Sequence, residues 1–357
     1  MNMKHAVGIF IAFLMVTGCA FIAGRDEALL PAGGPELRLL FVETLRNQDS
    51  LRGESLRELA NATDPATTLQ RPNSVFADAF RVYVTDTYLT DKYIDPGSAS
   101  NPVPGEMSAR IFVFDRGNQT VAVFGPPPRV PTPPLIRHDD VNLLAPSSLA
   151  VDATGVIFVS DSQQGRVFGY DRNGSLLIEL GRAGDFSSPS GLAVDNVRNR
   201  LYVADSHARQ VKVYTTTGTR LTDISGSGTT GFKSLSAITL DREGNLYVLD
   251  SRGQRVSVYG RDEKFLRDFN VTGDTPGLSV RPKGIAVDSS GHVYITDSVN
   301  NNVLIFDQGG KLIQTWGRTG RLTGDFWTPA GIYIDDRDYI YIADQTNGRV
   351  QVFQYIK

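Results

Sequence analysis

Six aspartates recur in one setting, each closing a short apolar run: Asp86, Asp161, Asp205, Asp250, Asp297 and Asp344. Carboxylates at repeated positions invite a metal-binding or acid–base reading. Their companions argue for a structural role instead. Arg166, Arg255 and Arg349 follow five residues after Asp161, Asp250 and Asp344, and Gln210 and Asn302 hold the same place after Asp205 and Asp297. That spacing predicts ion pairs and turn caps joining neighbouring strands. Histidine is scarce: His5, His138, His207 and His292. His138 and His207 are expected on one side of the molecule and His292 on the other, a poor arrangement for the four-ligand geometry of zinc. A cluster of His138, Asp139, Asp140 and His207 is the alternative metal reading. There is no nucleophile motif, glycine-rich phosphate loop, paired-cysteine motif or heme-attachment motif. No catalytic residue, metal set or cofactor is therefore assigned.

The elements that hold these residues repeat. The six aspartates are spaced 75, 44, 45, 47 and 47 residues apart. Pro72, Pro146, Pro189, Leu235, Pro282 and Pro329 open the units, and Asp78, Asp152, Asp195, Asp241, Asp288 and Asp335 close their first strands. A fixed period of this length marks a repeat architecture. Within each unit, short runs of Val, Ile, Leu, Tyr and Phe are separated by Gly, Asp, Asn and Ser, the signature of strands and tight turns. Asp241-Arg-Glu-Gly244 and Asp288-Ser-Ser-Gly291 read as such turns. Alternation sends Leu201 and Val203 to one face and Tyr202 and Ala204 to the other, so both faces are apolar. One four-stranded sheet cannot bury two faces alone. Sheets packed around an axis can, which predicts an all-β, six-bladed propeller of four-stranded antiparallel blades.

Pro-Ser-Gly-Leu-Ala-Val-Asp195, Leu-Tyr-Val-Ala-Asp205 and Gln210-Val-Lys-Val-Tyr resemble the NHL repeat, as does Trp316-Gly-Arg-Thr-Gly with Gly324-Asp-Phe and Pro329-Ala-Gly-Ile. The resemblance covers roughly residues 72–357. Unit one departs most, with Asn73-Ser-Val-Phe-Ala in place of Gly-Ile-Ala-Val, and unit four has Leu235 for proline. Amidating-lyase relatives among the propellers hold zinc with histidines, a constellation not evident in this chain.

Unit six ends after its third strand, Arg349-Val-Gln-Val-Phe-Gln-Tyr-Ile-Lys357. An unpaired edge there would be a pairing hazard. The segment at about 37–43, Leu37-Arg-Leu-Leu-Phe-Val-Glu43, is predicted to supply the missing outer strand. A short helix is expected at about 54–61, where Ser55 and Glu58 have capping-box spacing. Before these, a weakly basic start and the apolar run Ala6–Val16 are too short for a mature membrane span. Val16-Thr-Gly-Cys19 resembles the bacterial lipobox. Residues 1–18 are thus expected to be a signal peptide, Cys19 the lipidation site, 19–35 a tether and 36–357 a single propeller domain. Each buried acyl methylene would add roughly 0.8 kcal/mol of anchoring. The lipobox resemblance implies, with Ala20 rather than Asp after the cysteine, the outer membrane facing the periplasm where the host has one. Cys19 is the only cysteine, so stability must come from packing and ring closure. A net charge of −3, with 36 Lys+Arg against 39 Asp+Glu, argues against nucleic acid as a partner.

Unit one carries two insertions. Asp86 to Arg110 takes 24 residues where Asp161 to Arg166 takes five, and Gly125 to Pro146 takes 21 where Gly181 to Pro189 takes eight. The second contains six prolines in residues 126–134, an extended and stiff composition. Strands alternate in direction, so both insertions should rise from the same face. Long loops on a rigid scaffold are where binding residues concentrate. The expected binding residues are Tyr88, Tyr93, Arg110, Arg137, His138, Asp139, Asp140, His207 and Arg209. The expected function is an exported, lipid-anchored scaffold that binds another envelope protein or a polymer through this face. The alternative is a metal-dependent propeller enzyme, of lyase or lactonase type, with its site at the mouth of the central channel.

Overall fold

The computed structural model describes residues 38–47, 50–51, 68–90, 106–124, 137–138, 143–181, 184–227, 230–272 and 279–356. Six antiparallel sheets stand around a central axis. Their inner strands are Arg71–Ala77, Pro146–Val151, Pro189–Asp195, Leu235–Leu240, Pro282–Val287 and Pro329–Ile334, in blades 1 to 6. Each inner strand touches the next, and blade 6 returns to blade 1. The expected six-bladed propeller is therefore the fold.

The two-faced sheets explain the ring. Leu201 and Val203 of blade 3 pack into a core shared with blade 2, while Tyr202 and Ala204 enter the core shared with blade 4. The same division repeats, giving six wedge-shaped cores, one at each seam between blades. The last seam joins Tyr341, Val350 and Val352 of blade 6 to Val82, Val84, Phe112 and Phe114 of blade 1. Turns follow the sequence: the Asp241 carboxylate accepts from the Asn245 N–H at 2.8 Å, and Gly244 takes φ +82°.

Blade 6 is closed as expected. Arg38–Leu45 pairs antiparallel with Arg349–Ile356, from Arg38 opposite Ile356 to Leu45 opposite Val350, so the outer strand is N-terminal and the other three are C-terminal. The segment expected to form a helix at 54–61 and the signal, lipidation and tether segments before residue 38 lie outside the described residues.

The inner strands are tightest at the third residue of the repeat. A Cβ on Gly284 would lie 2.7 Å from the Ala330 carbonyl oxygen and 2.9 Å from the Ile332 nitrogen, both backbone atoms of the next blade. Where this position is serine, the hydroxyl knits the seam instead: Ser74 Oγ accepts from the Leu149 N–H at 3.2 Å and Ser148 Oγ from the Leu192 N–H at 3.1 Å. The Gly284→Ala variant is expected to lose about 1–3 kcal/mol, the cost of overpacking a seam that cannot give way. Thermal unfolding tests this, and an unchanged midpoint would refute the close-packed seam.

Candidate functional site

The turns between second and third strands and the connectors between blades share one end of the ring, called here the upper face. The ladder of blade 1 does not stop where the others do. In blades 2 to 6 the second and third strands end at Asp161 opposite Arg166, Asp205 opposite Gln210, Asp250 opposite Arg255, Asp297 opposite Asn302 and Asp344 opposite Arg349. In blade 1 pairing continues past Asp86 opposite Arg110 through Thr87–Ala109, Tyr88–Ser108 and Leu89–Met107 to Thr90–Glu106. At roughly 3.4 Å per residue, this hairpin rises about 14 Å above the level of the other blades. The second insertion returns as Arg137–His138, a fifth strand parallel to Val123 and Phe124 on the outer edge of blade 1.

The strand-ending aspartates are buried and structural. Their shared task is to clamp the incoming connector. Asp86 accepts from the N–H of Gln70 and Arg71, Asp161 from Leu144 and Ala145, Asp205 from Ser187 and Ser188, and Asp250 from Lys233 and Ser234. Asp297 accepts from Arg281 and Asp344 from Trp327. The cationic partners differ from the expected set. Arg349 pairs with Asp344 at 2.8 Å as expected, and Arg255 reaches only 4.0 Å from Asp250. Arg166 turns outward to Glu179 on the outer strand of its blade. Gln210 bonds Ser225, and Lys212 at 2.9 Å serves Asp205 in its place. Asn300, not Asn302, donates to Asp297. Burial pushes the Asp205 carboxyl up, but Lys212 and the Ser187 and Ser188 N–H groups outweigh it and hold the group below its ordinary value. For Asp86 and Asp344 burial wins, and both carboxyls titrate above their ordinary value despite Arg110 and Arg349.

Arg110 is the clearest correction to the expected binding set. Its side chain is 0 % exposed, paired to Asp86 at 2.9 Å and donating to the Thr68 carbonyl at 2.8 Å. It supports the base of the hairpin and has no surface to offer a ligand. The backbone places Tyr88 in the raised hairpin. His207 and Arg209 are exposed in the upper turn of blade 3. The backbone of Arg137 and His138 lies at the outer edge of blade 1, so His138 and His207 are carried by different blades. His292 sits at the opposite end, bonded to Asp288 at 2.8 Å. Tyr93, Asp139, Asp140 and Cys19 lie outside the described residues. Among the described residues, no three His, Cys, Asp or Glu side chains are grouped to hold a metal ion.

The inner strands enclose a channel of about 1250 Å³. Every inner strand carries a register break just after its opener, at Pro72, Pro146, Pro189, Leu235, Pro282 and Pro329. A bulge re-aims the extra residue. The residues thus displaced, Asn73, Ser147, Ser190, Ser236, Lys283 and Ala330, all line the channel at its upper mouth. Asn73 donates across its seam to the carbonyls of Pro146 and Ser147, and Ser190 to that of Leu235. Lys283 is the one charged member of the ring. The upper turns and connectors also expose Arg71, Arg209, Lys233, Arg252, Arg281 and Arg321, against Asp185 as their one exposed carboxylate among the described residues. Lys283 lies in no catalytic or binding motif of the sequence. Comparing the residue after each inner-strand opener would have singled it out.

A closed ring of six four-stranded blades with an axial channel defines a six-bladed β-propeller. Residues 136–324 match the family described as the teneurin NHL domain, and residues 326–353 match the NHL repeat. The chain belongs to the NHL-repeat family. No curated protein matches the sequence. Among solved structures it resembles virginiamycin B lyase from Staphylococcus aureus, at 14% identity and TM-score 0.52, over 90% of this chain and 100% of that one. It also resembles a gluconolactonase, XC5397 from Xanthomonas campestris, at 14% identity and TM-score 0.55, over 93% and 99%. A protein of unknown function from Bacteroides thetaiotaomicron aligns at 15% identity and TM-score 0.57, over 82% and 71%. At these identities the likeness is one of fold.

Proposed function

We propose that the chain is an exported propeller scaffold, lipidated at Cys19 and held at the outer membrane facing the periplasm, which binds another envelope protein or a polymer through its upper face. The observation that carries this reading is the blade 1 hairpin, which continues four residue pairs beyond the point where the other five blades turn. A rigid ring beneath a raised hairpin limits the ordering cost of association. The exposed cations of the same face suit a partner with an acidic surface. The test is in vivo crosslinking of the full-length protein against a variant in which residues 89–107 are replaced by a short turn. The expected result is loss of a specific crosslinked partner with thermal unfolding preserved. Identical capture profiles would overturn the reading.

The second reading is a metal-dependent lyase or lactonase at the channel mouth. It draws on the fold shared with virginiamycin B lyase and a gluconolactonase. The ring of bulge residues in this chain presents no carboxylate or imidazole; its one charge is the ammonium of Lys283.

A further inference from the structure

The six bulge positions at the upper mouth are equivalent by repeat but not by chemistry. Five are small or amide side chains, and the sixth is Lys283. No carboxylate or other acceptor of the described residues pairs with its ammonium, whereas Lys212, buried within blade 3, pairs with Asp205 at 2.9 Å. The charge next to it is a like one, Arg281. Lys283 stands open to the channel, yet the ring walls surround it. Burial, and then the Arg281 charge, lower its amino group below the ordinary lysine value. A cation in this position is incompletely compensated, and a bound anion would relieve both effects.

The neighbouring bulge residue is also uncommitted. Ser236 occupies the equivalent place in blade 4, whose inner strand packs against that of blade 5. Ser190 donates to the carbonyl of the next opener, Leu235, but Ser236 Oγ is buried without a hydrogen-bond partner. Further along the channel the lining turns apolar, with Phe76, Val194, Leu240, Val287 and Ile334 half-buried on its wall. Cationic head and apolar wall face one channel. Arg281 and Lys233 stand in the connectors that lead into blades 5 and 4, on the approach to it.

We propose that the upper mouth of the channel binds a small organic anion, its carboxylate or phosphate held by Lys283 and its apolar body lying against the channel wall. This inference does not rest on the scaffold reading. The shared chemistry is an oxyanion joined to an apolar group. The channel and its bulge ring supply that combination without any metal.

The test is isothermal titration of the full-length protein with benzoate, phenyl phosphate, inorganic phosphate and the neutral analogue benzyl alcohol. Benzoate or phenyl phosphate is expected to bind with Kd of about 1 mM or tighter, and benzyl alcohol at least about tenfold more weakly, a difference of about 1.4 kcal/mol. Whichever of the two anions binds more tightly identifies the headgroup. Lys283→Met should weaken that anion by about tenfold or more, and Lys283→Arg should retain it within a few-fold. Both variants should melt at the wild-type temperature, since Lys283 makes no contact that holds the ring together. Binding of inorganic phosphate equal to that of phenyl phosphate would remove the apolar wall from the site. Failure of both organic anions to bind wild type, or equal binding by Lys283→Met, would overturn the proposal.

Discussion

Leu45→Ala is expected to destabilise the protein by about 2–5 kcal/mol, the range for removing a fully enclosed leucine from a core that collapses only partly. Leu45 is 0 % exposed and sits in the seam between blades 6 and 1, among Tyr341, Val350 and Val352 on one side and Val84 and Phe112 on the other. It is also the last residue of the strand that closes the ring, so its loss acts where cooperativity is set. Deleting residues 1–46 should do more. The edge of Arg349–Ile356 would then be unpaired over its length, and the Arg116–Glu43 ion pair that ties blade 1 to the closing strand, 2.6 Å long, would vanish. An exposed edge of eight residues is a template for pairing with another chain. The truncated chain should therefore self-associate. A peptide spanning residues 37–46, added in trans, should restore the monomer by supplying the missing strand. Urea unfolding and size-exclusion chromatography read both outcomes. A truncated chain that stays monomeric with wild-type stability would show that ring closure does not depend on the N-terminal strand.

The closing strand was legible because the repeat itself reports a deficit: unit six supplies three strands where the others supply four. Its position, expected at about 37–43 and observed at 38–45, follows from a spare strand-like run upstream. The seams were legible for a related reason. Period-two alternation with both phases apolar can be satisfied only between blades, and Leu201 and Tyr202 entered opposite cores as that argument requires.

Charge partners were less legible, because they depend on neighbours that the repeat does not fix. Arg110 and Arg166 occupy the same place in successive blades. The connector before blade 1 lays the Thr68 carbonyl over Arg110, whereas the outer strand of blade 2 offers Glu179 to Arg166. Their shared place opposite a strand-ending aspartate cannot distinguish the two. Lys212, two residues beyond the expected position, reaches Asp205 with its Nζ over the face of Phe186, 5.1 Å from the ring centroid. Lys283 escaped for a geometric reason. Strict alternation assigns every strand residue to one blade face or the other, and a register break suspends that rule just after the opener of each inner strand, for one residue in blades 1 to 4 and two in blades 5 and 6. The channel ring is written in the residues that the alternation argument misassigns.

The contrast between Arg110 and Arg166 gives the second large prediction. Arg110→Met should cost about 3–5 kcal/mol at neutral pH, because it leaves the Asp86 carboxylate buried without its cation. Arg166→Met, at the equivalent position, should cost less than about 1 kcal/mol, since Arg166 and Glu179 are 39 % and 41 % exposed and water replaces either partner. The pH dependence should separate the two variants further. Burial already raises the folded-state pKa of Asp86, and the Arg110 charge is the chief influence opposing it. Without that charge the folded state holds a proton more tightly than the unfolded state, whose carboxyl titrates near 4. The folded form then binds more protons over the window between the two values, so stability falls as pH rises through it and recovers as pH falls toward 4. Arg110→Met should thus regain stability between neutral and mildly acidic pH relative to wild type. Replacing Asp86 as well should not recover the full loss, because its other oxygen holds the Gln70 and Arg71 N–H groups at 2.9 and 2.8 Å. Urea unfolding of wild type and the three variants at two pH values measures all of this. A cost below about 1 kcal/mol for Arg110→Met, or a pH slope equal to that of wild type, would mean that the buried pair is not what fixes the base of the raised hairpin.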